Sequence, residues 1–200
     1  MVRGTNGVTV PFSGMVTGLV TPDAVNVTYG SATGLSATAA VSGPYDITVD
    51  AVSFSSGGAS NYNIIKKKGA LTVSAIDLTI TANSTSKNYG DTVTFAGTEF
   101  TTSGLKNSDT VTSVTLTSAG AAATATVGGS PYSIVPNAAV GSGLGNYNVK
   151  YANGTLTVNP APLSITPDGG KSKYYGDVFS AFTGVVSGLK NSDEIGRAHV

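Results

Sequence analysis

Apolar and polar residues alternate over short stretches of this chain, and no segment carries an apolar period of 3.6 residues over helix length. In the middle of the chain, Leu78-Thr79-Ile80-Thr81 alternates, and Val93-Thr94-Phe95 follows a Tyr89-Gly90-Asp91 turn. Val111, Val114 and Leu116 lie in a β-branched run, with Val114 and Leu116 on one face. Ala123-Thr124-Ala125-Thr126-Val127 alternates again, and Tyr132-Ser133-Ile134-Val135 is bounded by Gly128-Gly129-Ser130-Pro131 and Pro136-Asn137. Tyr147–Tyr151 and Thr155–Val158 flank Ala152-Asn153-Gly154, and Asn-Gly predicts a two-residue type I′ turn. In that register Tyr151 faces Leu156, Val149 faces Val158, and all four share one side of a hairpin. About six or seven short strands separated by turns predict a small antiparallel, immunoglobulin-like β-sandwich. A β-grasp unit is the alternative and requires one helix across the sheet.

The pattern returns about every 85 residues. Asn61-Tyr62-Asn63 recurs as Asn146-Tyr147-Asn148, and Leu71-Thr72-Val73 as Leu156-Thr157-Val158. Ser103-Gly104-Leu105-Lys106-Asn107-Ser108-Asp109 recurs word for word from Ser187 to Asp193, and Tyr89-Gly90-Asp91 matches Tyr175-Gly176-Asp177. A period this long predicts small domains in tandem rather than a thin solenoid. The boundaries expected are 1–76 for a first repeat lacking its opening strand, 77–161 for a complete repeat, and 162–200 for a truncated third. Val158-Asn159-Pro160-Ala161-Pro162-Leu163 reads as an extended, stiff junction. Ile195-Gly196-Arg197-Ala198-His199-Val200 is what ATC GGA AGA GCA CAC GTC encodes, the letters of a common short-read sequencing adapter. Native sequence is therefore expected to end near Asp193 or Glu194, which would remove His199, the single histidine.

Composition narrows the chemistry. Charged residues make up 11% of the 200, against about 25% in ordinary soluble domains, and net charge is zero. No basic face suited to a phosphate backbone stands out; Lys66-Lys67-Lys68 reads as a solvated turn whose Lys66 sits near a sheet edge. Cysteine is absent, which excludes disulfides, thiolate nucleophiles and thiolate-bound zinc. No run of about 18 apolar residues is present to span a membrane as a helix.

Three chemistries compete with a purely structural reading. The aspartates Asp23, Asp109 and Asp193, with Asp91 and Asp177, raise calcium, but calcium needs six to eight oxygens and no D-x-D cluster occurs. Turn roles, in which Asp bonds local backbone, are expected instead. Hydrolysis lacks a base: Glu99 and Glu194 are the only glutamates. Glycan stacking on the recurrent tyrosines Tyr45/Tyr132, Tyr62/Tyr147 and Tyr89/Tyr175 is the main rival. Core packing with a bonded hydroxyl accounts better for recurrence at fixed positions. Gly141-Ser142-Gly143-Leu144-Gly145 has no following helix and reads as a plain loop.

Lys87-Asn88-Tyr89-Gly90-Asp91, Gly104–Asp109, Asn146-Tyr147-Asn148-Val149, and Gly154–Val158 followed by Pro160-Ala161-Pro162-Leu163 carry a resemblance. In order and spacing they resemble the MBG/YDG-type repeat of large bacterial surface proteins. The first stretch departs from the pattern, with Asn6-Gly7 where Gly-Asp belongs and Thr21-Pro22-Asp23 replacing part of Lys-Asn-Ser-Asp. The resemblance implies tandem all-β stalk or display modules of filamentous-haemagglutinin-like or autotransporter-like adhesins, outside the cell. It transfers no catalytic, cofactor-binding or metal-ligating residue, and no cofactor. The expected partners are neighbouring repeats of the same chain, with host or surface glycans or proteins next, and not nucleic acid. A glycan-binding accessory module is the alternative function.

Overall fold

The computed structural model describes residues 2–3, 9–10, 14–31, 33–180 and 182–195. His199 and most of the adapter-like segment lie outside the described residues, as does Asn6-Gly7. The chain divides into two compact units: residues 1–78 with 104–110 and 142–148, and residues 79–103, 111–141 and 149–200. Described residues form strands and short 3₁₀ turns and no α-helix, so the helix a β-grasp unit requires is missing and the fold is the all-β one expected.

In the first unit, β1 (Val2–Arg3) pairs with β2 (Thr9–Val10). A second sheet joins β3 (Ala24–Gly30), β4 (Tyr45–Ser56) and β5 (Gly69–Leu71) in antiparallel order. Val25, Val27 and Tyr29 alternate with exposed residues along β3, the period of two that gives a strand one protected face. Lys66 is exposed and donates to the Asp50 carbonyl at 3.1 Å, while Lys68 pairs with Asp46 at 2.6 Å across well-exposed surface. An exposed pair of this kind adds little stability.

The remaining strands are β6 (Ile76–Ala82), β7 (Thr85–Asn88), β8 (Phe100–Ser103), β9 (Thr110–Thr117), β10 (Tyr132–Ser142), β11 (Tyr147–Ala152), β12 (Gly154–Asn159), β13 (Ser164–Pro167) and β14 (Gly184–Ser187). They form a sheet in the order β7-β12-β10-β9, a sheet in the order β11-β6-β8, and the pair β13-β14. In the second unit, Ile80, Ala82, Val114, Leu116, Ile134, Leu156 and Val158 are buried, each at the inward position of an alternating strand. Leu78, at the start of β6, is also wholly buried. Each large aliphatic side chain removed from water in this way contributes about 1.5–3 kcal/mol.

The structure departs from the sequence reading at four places. Residues 147–158 do not make a hairpin: β11 and β12 lie in different sheets, and β12 runs parallel to β7 and antiparallel to β10. Asn153-Gly154 is therefore a corner between sheets. Gly154 is needed for close approach, since a Cβ there would lie 2.5 Å from the Ala82 carbonyl oxygen. Val93–Phe95 forms no strand; the strand after the Tyr-Gly-Asp turn is β8, further on. Ala123–Val127 is also not a strand. Ser118 and Thr126 side chains accept from Gly120 and Gly129 amides and start 3₁₀ turns that compete with ladder pairing. Finally, Pro136-Asn137 does not end β10, which continues to Ser142, with Ala138 in the left-handed region at φ 49°.

Gly154→Ala is expected to destabilise the folded chain by about 1–3 kcal/mol, read as a lower urea midpoint, because the Ala82 backbone must move to admit the methyl. In limited proteolysis, cleavage is expected first within 163–193, whose strands β13 and β14 are exposed along their length, before any cut within 77–161.

Candidate functional site

The Lys87-Asn88-Tyr89-Gly90-Asp91 segment closes one edge of the second unit. Lys87 sits on β7, opposite Val158, and is only 7% exposed. A lysine ammonium has three donors and is costly to bury unpaired. This one donates to the Asp91 carbonyl at 2.7 Å and to the Ala122 carbonyl. The neighbouring alanine carbonyls are also paired: Val93 N–H donates to Ala121 at 2.9 Å and Gly90 N–H to Ala123 at 3.2 Å. Gly90 reaches that carbonyl at φ +90°, where a side chain would be strained. In the last stretch Lys173 makes the equivalent bond to the Asp177 carbonyl, at 3.0 Å. Sequence reasoning missed Lys87 as a buried group. The available signal was its return as Lys173 ahead of a second Tyr-Gly-Asp.

A second closure belongs to the first unit. Asn107 and Ser108 adopt φ 52° and 63°, the consecutive left-handed pair of a type I′ turn, closed by Asp109 N–H to the Lys106 carbonyl at 2.8 Å. The Tyr147 hydroxyl donates to Asp109 Oδ2 at 2.8 Å and accepts the Lys106 amide at 2.8 Å. Loss of solvent, and then the bond to Asp109, raise the Tyr147 phenol above its ordinary pKa. The same arrangement stands earlier in the chain: the Tyr62 hydroxyl donates to Asp23 Oδ2 at 2.6 Å and accepts the Val20 amide at 3.2 Å. There the Asp23 bond is the main cause of the raised phenol pKa. Tyr62 also stacks on Phe54, with ring centroids 5.4 Å apart.

These bonds decide what the candidate residues do. Asp23 and Asp109 hold tyrosine hydroxyls, and Asp91 and Asp193 close turns through their amides, to Asn88 at 3.1 Å and Lys190 at 2.8 Å. Among the described residues, no three carboxylate or imidazole side chains gather where they could share a metal. Tyr45 and Tyr132 occupy equivalent places, their hydroxyls donating to the Ala40 carbonyl at 2.7 Å and the Thr126 carbonyl at 3.0 Å. Tyr89 is half-buried, whereas Tyr175 is fully exposed. Glu99 is bonded to local backbone. Its carboxylate accepts the amides of Ala96, Gly97 and Thr98 at 2.8, 2.9 and 3.0 Å, and these bonds, that to Ala96 foremost, hold its pKa below the usual carboxylate value. Gly143, at φ 71°, begins a 3₁₀ turn, Leu144–Asn146, and not a phosphate-binding helix.

A cavity of about 690 Å³ opens in the first unit. Residues 14–19 and 62–69 flank it, with Val27, Val49 and Phe54 of the β3–β4 sheet behind. By the period of the chain, residues 14–17 correspond to β8 and residues 62–67 to β11, the two strands between which β6 runs. The cavity wall is mainly aliphatic and aromatic, and Asn63 and the lysines Lys66, Lys67 and Lys68 also line it.

The fold and these closures define a small all-β module whose irregular backbone is capped by its own side chains. Residues 78–157 match the family model described as MBG domain (YGX type), the type of repeat that the sequence resembles. No curated protein and no solved structure matches the chain.

Lys87→Met is expected to lower folding stability by about 1–3 kcal/mol, measured in urea, by leaving carbonyls unpaired. Glu99 gives a pH signature. Its folded pKa is depressed, so its stabilisation is present above the unfolded carboxylate pKa and is lost as pH falls through the folded value. Glu99→Gln is expected to flatten that acid limb of the urea midpoint against pH, with little change in its slope above pH about 6.

Proposed function

We propose that this chain is a non-catalytic, structural repeat region of an exported bacterial surface adhesin, a stalk that displays a distal binding region away from the cell. The observation that carries this reading is the recurrence of whole side-chain closures at the period of the sequence. Asp23–Tyr62 returns as Asp109–Tyr147, Tyr45–Ala40 as Tyr132–Thr126, and Lys87–Asp91 as Lys173–Asp177. Tyr45, Tyr62, Tyr132 and Tyr147, which in a lectin would face a ligand, have their hydroxyls committed here to backbone or to aspartate. The MBG family match over the middle stretch supports a surface-protein repeat module. The stalk role, the extracellular location and the tandem copies on either side are the parts added by this proposal. The rival is a glycan-binding accessory module.

The test is a glycan microarray with the whole chain, paired with display of the chain between an outer-membrane anchor and an epitope tag. A flat array, with the epitope more accessible than when the chain is deleted, is the expected result. Saturable glycan binding that Tyr132→Ala abolishes in a folded chain would overturn it.

A further inference from the structure

The Lys-Asn-Ser-Asp turn does more than close itself. In the last stretch it repeats the geometry of Lys106–Asp109: Asn191 and Ser192 stand at φ 51° and 63°, and Asp193 N–H returns to the Lys190 carbonyl at 2.8 Å. Both turns aim the asparagine side chain at the stretch before their own. Asn107 Nδ2 donates to the Ala37 carbonyl at 2.7 Å, and Asn191 Nδ2 donates to the Ala123 carbonyl at 3.0 Å. Donor and acceptor recur together, since Asn191 lies 84 positions beyond Asn107 and Ala123 lies 86 beyond Ala37. A carbonyl has two lone pairs, so Ala123 can accept Asn191 beside the Gly90 amide.

Other contacts belong to the same joints. In the second unit the Lys190 stem lies on the open face of Gly90, 2.6 Å from where a Cβ would stand, so Gly90 is fixed by this neighbour as well as by its φ. Tyr89, Val127, Pro160, Leu163 and Leu189 line a crevice of about 250 Å³ beside it. In the first unit the Val41 amide donates to Asn146 Oδ1 at 2.8 Å. Val41 stands 86 positions before Val127, which lines that crevice.

We propose that the Asn-bearing turn is a docking element between successive repeats. It reads a carbonyl of the alanine loop in the preceding repeat, and it holds the two in one fixed rotation. The partner is another copy of the same module. Each module carries a donor turn and an acceptor loop at different places, so the contact is heterologous, and it propagates along a chain rather than closing on itself. A positive φ at two successive non-glycine residues requires Asn or Asp chemistry at the first, and Asn alone of these adds an amide donor. This inference rests on the tandem-repeat reading, deepens it from a string of beads to a stalk of set geometry, and concerns the joint alone.

The chain has no cysteine, so two engineered ones report without interference. Thr115→Cys and Thr166→Cys, both exposed, place spin labels on either side of the second joint for pulsed dipolar spectroscopy. The native turn is expected to give one narrow distance distribution. Asn191→Gly keeps the left-handed backbone and removes only the amide, and is expected to widen the distribution at least twofold with the urea midpoint unchanged. At the first joint, Asn146→Ala is expected to speed Val41 amide exchange at least tenfold in the folded chain. A broad native distribution, an unchanged width in Asn191→Gly, or unchanged Val41 exchange would overturn the proposal. A glycan ligand found on the array would instead remove the stalk reading and leave these distances as they are.

Discussion

Every carbonyl and amide withdrawn from water in an irregular segment must find a partner, and that constraint shapes this molecule more than its hydrophobic core does. The clearest case is the run Ala121–Ala123, which has no side-chain donors and no strand ladder to satisfy it. Its three carbonyls are met by the Val93 amide, the Lys87 ammonium and the Gly90 amide in turn. The Lys-Asn-Tyr-Gly-Asp motif is therefore a backbone-pairing device: lysine supplies several donors from one point, and glycine supplies the φ that lets its amide turn inward. Glu99 treats three successive amides in the same way, with the opposite charge.

The low charge of the chain becomes intelligible in this light. Few charged residues are present, and several of them work on the backbone rather than on solvent or ligand. Tyrosine does the corresponding work at lower cost in desolvation, presenting an apolar ring to the interior and a hydroxyl to a turn. Tyr62 and Tyr147 join that hydroxyl to Asp23 and Asp109, so these two aspartates act as struts. In the stalk reading, such modules need chemistry at their joints and none at their faces.

The sequence displayed what is local. The alternation in β6, in the second half of β9 and in β12 is visible as apolar residues two apart, and these are the buried positions. The structural use of Tyr62, Tyr132 and Tyr147 was also legible, because their words recur. What was not legible is long-range. Asn153-Gly154 carries the local signature of a hairpin, yet β12 leaves its neighbour to run parallel with β7, some 70 residues earlier in sequence. Ala123–Val127 alternates like a strand, but small side chains give a ladder little to bury, and the bonds of Ser118 before it and Thr126 within it favour tight turns. The burial of Lys87 was not legible, because nothing nearby in sequence announces the Ala122 carbonyl it reaches across 35 positions.

Amide hydrogen exchange across the whole chain, resolved residue by residue, tests the central claim most directly. If side chains and motif amides close the irregular backbone as described, then Gly90, Val93 and Lys106 exchange as slowly as the ladder amides of β12, although none of the three lies in a strand. Exchange of these amides at the rate of open solvent, with β12 still protected, would contradict the account.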